Sequence, residues 1–133
     1  MAETFSLDLV TPDQTIYSGE VEELVAPGSL GEFGVLRGHA RMMSALVPGR
    51  LVYRSSAGEK TLVAAGGFAE VTGDKVTVLL DGAEAVEELD ASRLQEEVTR
   101  LEEEDLQPGD ERYDEWRQQL RYKQACLEMT EAG

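Results

Sequence analysis

The feature that most constrains this chain is a change of grammar near residue 81. Before it, short apolar stretches alternate with polar residues, and turn signals interrupt them every few positions. After it, glycine is absent from Ala83 to Pro108, and apolar residues recur at three- and four-residue spacings. A chain cannot satisfy a period of two and a period of 3.6 in one element. The sequence therefore specifies two parts of different class.

The first part reads as β-structure. Phe5, Leu7 and Leu9 alternate with polar neighbours, as in a strand with one buried face. Thr11-Pro12-Asp13 reads as a turn. Further strands are expected at Val21–Ala26, Arg50–Arg54, Lys60–Ala65, Phe68–Thr72 and Lys75–Leu80. They are separated by turns at Pro27-Gly28, Pro48-Gly49, Ala57-Gly58, Gly66-Gly67 and Gly73-Asp74. Many short strands at close spacing indicate a sandwich or barrel rather than a parallel α/β sheet. The alternation leaves one face of each strand polar, and two packed sheets would bury the other faces.

The second part reads as helix. Ala91, Leu94, Val98 and Leu101 line one helix face, with Asp90 as N-cap. Glu96 and Arg100 form an i, i+4 pair in the favourable order, as do Arg93 and Glu97 in the reverse order. Gln107-Pro108-Gly109-Asp110 ends this helix, and Asp110 can cap a second one whose apolar face carries Tyr113, Trp116, Leu120 and Leu127. A short connection makes the pair an antiparallel hairpin. The predicted fold is thus an N-terminal antiparallel β-sandwich over residues 1–84, followed by an antiparallel two-helix hairpin over residues 85–133. So small a hairpin has little apolar surface of its own and must lean on the sandwich or on a partner. Tyr113 and Trp116 read as hairpin core or as a ligand platform, and Cys126 as an inert, half-buried small residue.

Charge narrows the function. Formal net charge is −15, which argues against nucleic acid and against docking on anionic lipid. Residues 1–80 carry ten acids and six bases, whereas residues 81–133 carry seventeen acids and six bases. The asymmetry suggests two parts with different jobs. Within the hairpin, residues 87–106 hold nine acids and two arginines, so Arg117, Arg121 and Lys123 on the second helix face an acidic neighbour. No apolar run is long enough to cross a bilayer. Met1-Ala2-Glu3-Thr4 has neither a basic start nor an apolar core, so no secretory signal is expected. A lone cysteine fits a reducing compartment.

Motifs for chemistry are sparse. His39 is the single histidine, with no second histidine or cysteine at ligand spacing, so no metal site is expected. There is no G-x-S-x-G elbow and no Walker-type loop. Gly28-Ser29-Leu30-Gly31 and Gly34 form a glycine-rich segment, but strand-like sequence follows it, so it lacks the helix N-terminus that would hold a phosphate. An enzyme active site is not expected. Four glycines between Gly28 and Gly38 bracket Leu30, Phe33, Arg37 and His39. The segment reads either as a backbone needing positive φ or as a contact loop, and the two readings are compatible.

At this segment the chain resembles the epsilon subunit family of F-type ATP synthases. Gly31-Glu32-Phe33-Gly34 and Gly38-His39-Ala40 match the family's G-E-x-G and G-H-A stretches. Leu7-Asp8-Leu9-Val10-Thr11-Pro12 with Ser18-Gly19, then Gly66-Gly67-Phe68-Ala69-Glu70-Val71, Val76-Thr77-Val78-Leu79-Leu80-Asp81 and Leu89-Asp90-Ala91-Ser92-Arg93, agree in order and spacing over nearly the whole chain. Arg41 departs from the proline the family commonly has after G-H-A.

The resemblance implies a non-catalytic central-stalk subunit on the cytoplasmic face of an energy-transducing inner membrane, peripheral to it and without direct insertion. Its sandwich would bind the gamma subunit and rest on the membrane ring of c subunits, coupling proton flow to ATP synthesis. Glu32, Phe33, Arg37 and His39 are the implied ring and shaft contacts, with Glu32 and His39 at the ring-contacting positions. A turn acid and a surface histidine remain their plain alternative. The hairpin would either fold on the sandwich or extend into the catalytic alpha/beta head and inhibit ATP hydrolysis through Arg117, Arg121 and Lys123. In some members an L-D-x-x-R-A motif binds ATP, which points to Asp90 and Arg93. Here Leu94 replaces the motif's alanine, so no resident cofactor is expected, with ATP as the alternative ligand of a nucleotide-sensing hairpin. A generic β-sandwich adaptor with a helical tail is a third reading.

Overall fold

The computed structural model describes residues 3–132; residues 1, 2 and 133, including the Met1-Ala2 start read above, lie outside the described residues. Ten strands precede two helices. The strands are β1 Phe5–Val10, β2 Thr15–Val21, β3 Glu23–Gly28, β4 Gly31–Val35, β5 Met42–Leu46, β6 Gly49–Ser55, β7 Gly58–Ala64, β8 Gly67–Thr72, β9 Lys75–Leu80 and β10 Ala83–Ala85. A single 3-10 turn at Val86–Glu88 leads to α1 Ala91–Glu104 and α2 Tyr113–Ala132.

The hydrogen-bonded order is β10-β7-β6-β3-β5-β8-β9-β1-β2, with β4 added on β3. One residue pair alone, Gly28 with Leu46, joins β3 to β5. The path therefore divides at that corner into two layers, and their inward faces meet. Leu7, Leu9, Val71, Val76 and Val78 come from one layer and Leu24, Ala26, Leu51 and Leu62 from the other, all in one core. The Tyr17 and Tyr53 rings close one side at 4.8 Å. Pairing is antiparallel except between β1 and β9, which run parallel with Leu7 beside Val76. The chain thus returns to lay its last long strand beside its first.

Strand β5, Met42–Leu46, and most of β2 lie outside the stretches read as strands; the other differences arise at short glycine-rich pieces. Val21–Ala26 is two strands parted by a bend at Glu22, and Pro27-Gly28 belongs to β3 rather than to a turn. The segment read as a loop contains a whole strand, β4, which pairs with β3 from Gly31 to Val35. Glycine permits the close packing there: a Cβ at Gly28 would lie 2.7 Å from the Gly31 carbonyl oxygen and 2.9 Å from the Phe33 ring. Gly67 is as constrained, because a Cβ would meet the Leu79 carbonyl oxygen at 2.0 Å and its φ is +145°.

In the helices, the Asp90 carboxylate accepts from the Arg93 backbone N–H at 3.1 Å, the expected N-cap. α1 ends earlier than Pro108 requires, with Asp105 itself in the left-handed conformation at φ 43°. Glu96 and Arg100 form no ion pair among the described residues, whereas Arg93 and Glu97 do, at 3.3 Å. Of the predicted α1 stripe, Leu94 and Val98 are buried but Ala91 is exposed. Asp110 accepts from the Arg112 N–H at 2.8 Å and so caps the turn before α2, which begins at Tyr113. The Trp116 indole N–H donates to the Leu101 carbonyl at 2.7 Å, which satisfies a carbonyl near the C-terminal end of α1 and pins the two helices together. Tyr113 packs on Trp116 with ring centroids 5.8 Å apart.

Candidate functional site

Three surfaces concentrate the chemistry. The first is the β3–β4 hairpin and the loop after it. Leu30 stands at the hairpin tip, fully exposed. Glu32, in β4, is exposed and pairs with Arg50 at 3.4 Å, with both side chains about half exposed; such a pair is worth under about 1 kcal/mol. Phe33 is not the exposed residue its glycine setting suggests. It is half-buried and packs against the core, because β4 turns that position inward. Arg37 is exposed. His39 closes a turn, its N–H donating to the Leu36 carbonyl at 3.1 Å. Its Nδ1 lies 2.7 Å from the Ala40 carbonyl, which fixes Nδ1 as the protonated nitrogen and leaves Nε2 for other partners. Glu32 lies near the start of β4, and His39 lies four residues beyond its end, in the turn that follows.

The second surface was not read from the sequence. On the outer face of β5, β8 and β9, Met43, Phe68 and Leu79 are 67%, 57% and 55% exposed. Phe68 lies directly across from Leu79, and Met43 is opposite Glu70. A hollow of about 300 Å³ is lined by Met43, Phe68, Glu70, Thr77 and Leu79. The signal was present: in β8 and β9 the outward phase is Phe68, Glu70, Thr72 and Lys75, Thr77, Leu79, so Phe68 and Leu79 are large apolar residues at polar-phase positions. Contiguous exposed apolar surface marks a contact site far more often than isolated apolar residues do.

The third surface is the seam where the hairpin lies on the sandwich. Leu62, Val63 and Ala64 are all buried, which an alternating strand permits only if both of its faces are covered. Val63 points to the outer face and is 0% exposed because Cys126 of α2 and Leu94 of α1 pack on it. The Tyr122 hydroxyl donates to Glu84 of β10 at 3.0 Å, and Lys123 donates to Glu97 at 2.9 Å. That ammonium holds the Glu97 carboxyl below its ordinary value. Burial pushes the Cys126 thiol up to about 11 and the Tyr122 hydroxyl higher still than its usual range. Cys126 is wholly buried, not half-buried.

Asp90 and Arg93 line a cavity of about 150 Å³ beside this seam, together with Glu84, Glu88, Glu97 and Lys123. The cavity carries four carboxylates against two cations, and both cations already reach Glu97. Leu94 is buried in the adjoining core. Arg117 and Arg121 are exposed and make no ion pair among the described residues. Of the three cations expected to match α1, only Lys123 does so.

This arrangement defines a β-sandwich scaffold with one outer face covered by its own helices and another left bare. Comparison with known proteins assigns the scaffold. The family model described as ATP synthase, Delta/Epsilon chain, beta-sandwich domain matches residues 4–86. An ATP synthase epsilon chain of Geobacter metallireducens is 40% identical over 135 residues, covering 100% of this chain and 96% of that one. One from Geotalea uraniireducens is 44% identical over 103 residues, 77% of this chain and 75% of that one. The chain belongs to the ATP synthase epsilon-chain family. Among solved structures, a chain of the c-ring-containing assembly of the Euglena gracilis mitochondrial ATP synthase aligns with a TM-score of 0.76 at 28% identity, over 97% of this chain and 80% of that one. A chain from the Tetrahymena thermophila mitochondrial central stalk and c-ring aligns at 0.62 and 14% identity, over 98% of this chain and 97% of that one, a likeness of fold. No helix among the described residues is long and apolar enough to cross a membrane.

Proposed function

We propose that this chain is a non-catalytic rotor subunit of a proton-translocating ATP synthase. It joins the gamma shaft to the membrane ring on the cytoplasmic side, and its hairpin restrains ATP hydrolysis. The observation that carries this reading is the bare face of Met43, Phe68 and Leu79. Fully burying large apolar side chains contributes roughly 1.5–3 kcal/mol each, so these residues supply much of the affinity for a shaft subunit. The family's position in c-ring assemblies supports the choice of partner. Glu32 and His39 are the proposed ring contacts, with exposed Leu30 at the hairpin tip near Glu32 and Arg37 in the turn that carries His39; Phe33 serves by holding β4 against the core.

Inhibition falls to α2, whose 20 residues span about 30 Å at 1.5 Å per residue. Arg117 and Arg121 are already available to an acidic site in the catalytic head, and Lys123 becomes so once it leaves Glu97. The nucleotide-sensing reading draws less support. The cavity at Asp90 and Arg93 is small for a nucleotide, for which sites usually offer 300 Å³ or more, and its balance of charge repels phosphate. Removal of residues 89–133 from the assembled enzyme tests the proposal: ATP hydrolysis should rise while the remainder stays bound to the shaft. Unchanged hydrolysis would reduce the hairpin to a brace.

A further inference from the structure

The hairpin is not held evenly. α2, rather than α1, lies against β6 and β7. α1 reaches the sandwich mainly through Leu94, which packs in the cluster with Cys126 and Val63. The N-terminal half of α2 is tied to α1 by Trp116 on Leu101, and Arg112, just before the helix, pairs with Glu104 at 3.2 Å; against the sandwich this half sets Gln118 beside Gly66. The hydrogen bond to the sandwich and the fully buried plug fall within little more than one turn, inside an apolar seam that runs on to Met129. Tyr122 donates to Glu84, and four residues on, Cys126 is sealed over Val63. Glu84 and Val63 are direct cross-strand partners on β10 and β7, so both ties land on one patch of the outer face.

We propose that the Tyr122–Glu84 hydrogen bond, together with the Cys126 plug on Val63, is the latch that sets how often the hairpin leaves the sandwich. This rests on the reading of the hairpin as a mobile regulator and names the contact that regulates it. The bond joins a phenol to a carboxylate in a half-buried seam, and a hydrogen bond to a charged acceptor is the stronger kind. Losing it leaves the Glu84 carboxylate poorly paired beside an apolar patch. Because α1 has little hold of its own, release of α2 at this turn frees both helices. The Trp116–Leu101 tie can then persist, and the hairpin departs as a unit.

Cys126 is the chain's single cysteine and reports opening directly, because a wholly buried thiol reacts with Ellman's reagent only when α2 lifts. The full-length chain should label far more slowly than the same chain in urea; equal rates would overturn the proposal. Tyr122→Phe, which keeps the ring and removes only the hydroxyl, should speed labelling roughly tenfold, as expected of a charged hydrogen bond. Glu84→Ala should match it, Glu84→Gln should fall short of it, and the double variant should be little faster than either single one. An unchanged rate in Tyr122→Phe, or full additivity in the double variant, would overturn the latch. Hydrolysis by the enzyme assembled with Tyr122→Phe separates the two levels. Faster labelling with reduced hydrolysis supports both; faster labelling with unchanged hydrolysis keeps the latch and removes the inhibitory role.

Discussion

The two outer faces of the sandwich began from the same liability and met different fates. On β7 an apolar outward residue, Val63, is 0% exposed because the chain's own helices lie on it. On β8 and β9 the outward pair Phe68 and Leu79 remains more than half exposed. Apolar surface left in water forgoes the free energy that burial would supply. Here one cover is supplied in cis, by the hairpin, and the other face is bare. The difference teaches that the face covered in cis carries a polar rim, Tyr122 on Glu84 and Lys123 on Glu97, whereas the bare face presents Met43, Phe68 and Leu79.

The largest expected effect comes from placing a charge on each face in turn. Val63→Glu should undock the hairpin and lower the stability of the isolated chain by about 3 kcal/mol or more, since an unpaired carboxylate would lie in a closed seam. Phe68→Glu should leave the isolated chain's melting unchanged within a degree or two, yet abolish co-purification with the shaft subunit. A Phe68→Glu chain that still assembles would break the comparison.

Next in size is removal of the cover. A chain ending at Glu88 should still melt cooperatively, because the core of β1–β9 draws on no hairpin residue. Uncovering Val63 should cost roughly 1–3 kcal/mol, read as a lower midpoint in urea. Loss of cooperativity would mean that the two parts fold as one.

A smaller effect follows from pH. The docked hairpin favours protonated Cys126, whose pKa rises from 9.0 to about 11, and protonated Tyr122, raised from 10.0. Groups raised on docking stabilise it fully below their undocked values and lose that contribution as pH climbs. Docking should therefore weaken between pH 9 and 11, seen as increasing exposure of Tyr122 by fluorescence quenching. Cys126→Ala should blunt the change.

The smallest effect concerns the cations. Lys123→Ala should loosen the docked hairpin by up to about 1 kcal/mol through the loss of Glu97. Arg117→Ala with Arg121→Ala should alter the isolated chain's stability negligibly, yet still release hydrolysis in the assembled enzyme. Hydrogen exchange on the isolated chain and ATPase assays on the complex separate these roles.

The sequence by itself determined the division into strands and helices, the Asp90 cap, the inward faces of β1, β8 and β9, and the surplus acidity of the hairpin. These follow from local period, capping chemistry and composition, which act over a few residues. It did not determine β4, because glycines at Gly31 and Gly34 mask a strand that only pairing with β3 stabilises. Nor did it assign Phe33 to the core side or place Glu32 in β4 and His39 in the turn beyond it. It gave no sign that Cys126 plugs Val63, since those residues lie far apart in the chain and meet only when α2 is laid across β7. Periodicity states which face of an element is apolar. What covers that face is a long-range packing decision, taken when the sheet closes, and it left Val63 sealed and Phe68 bare.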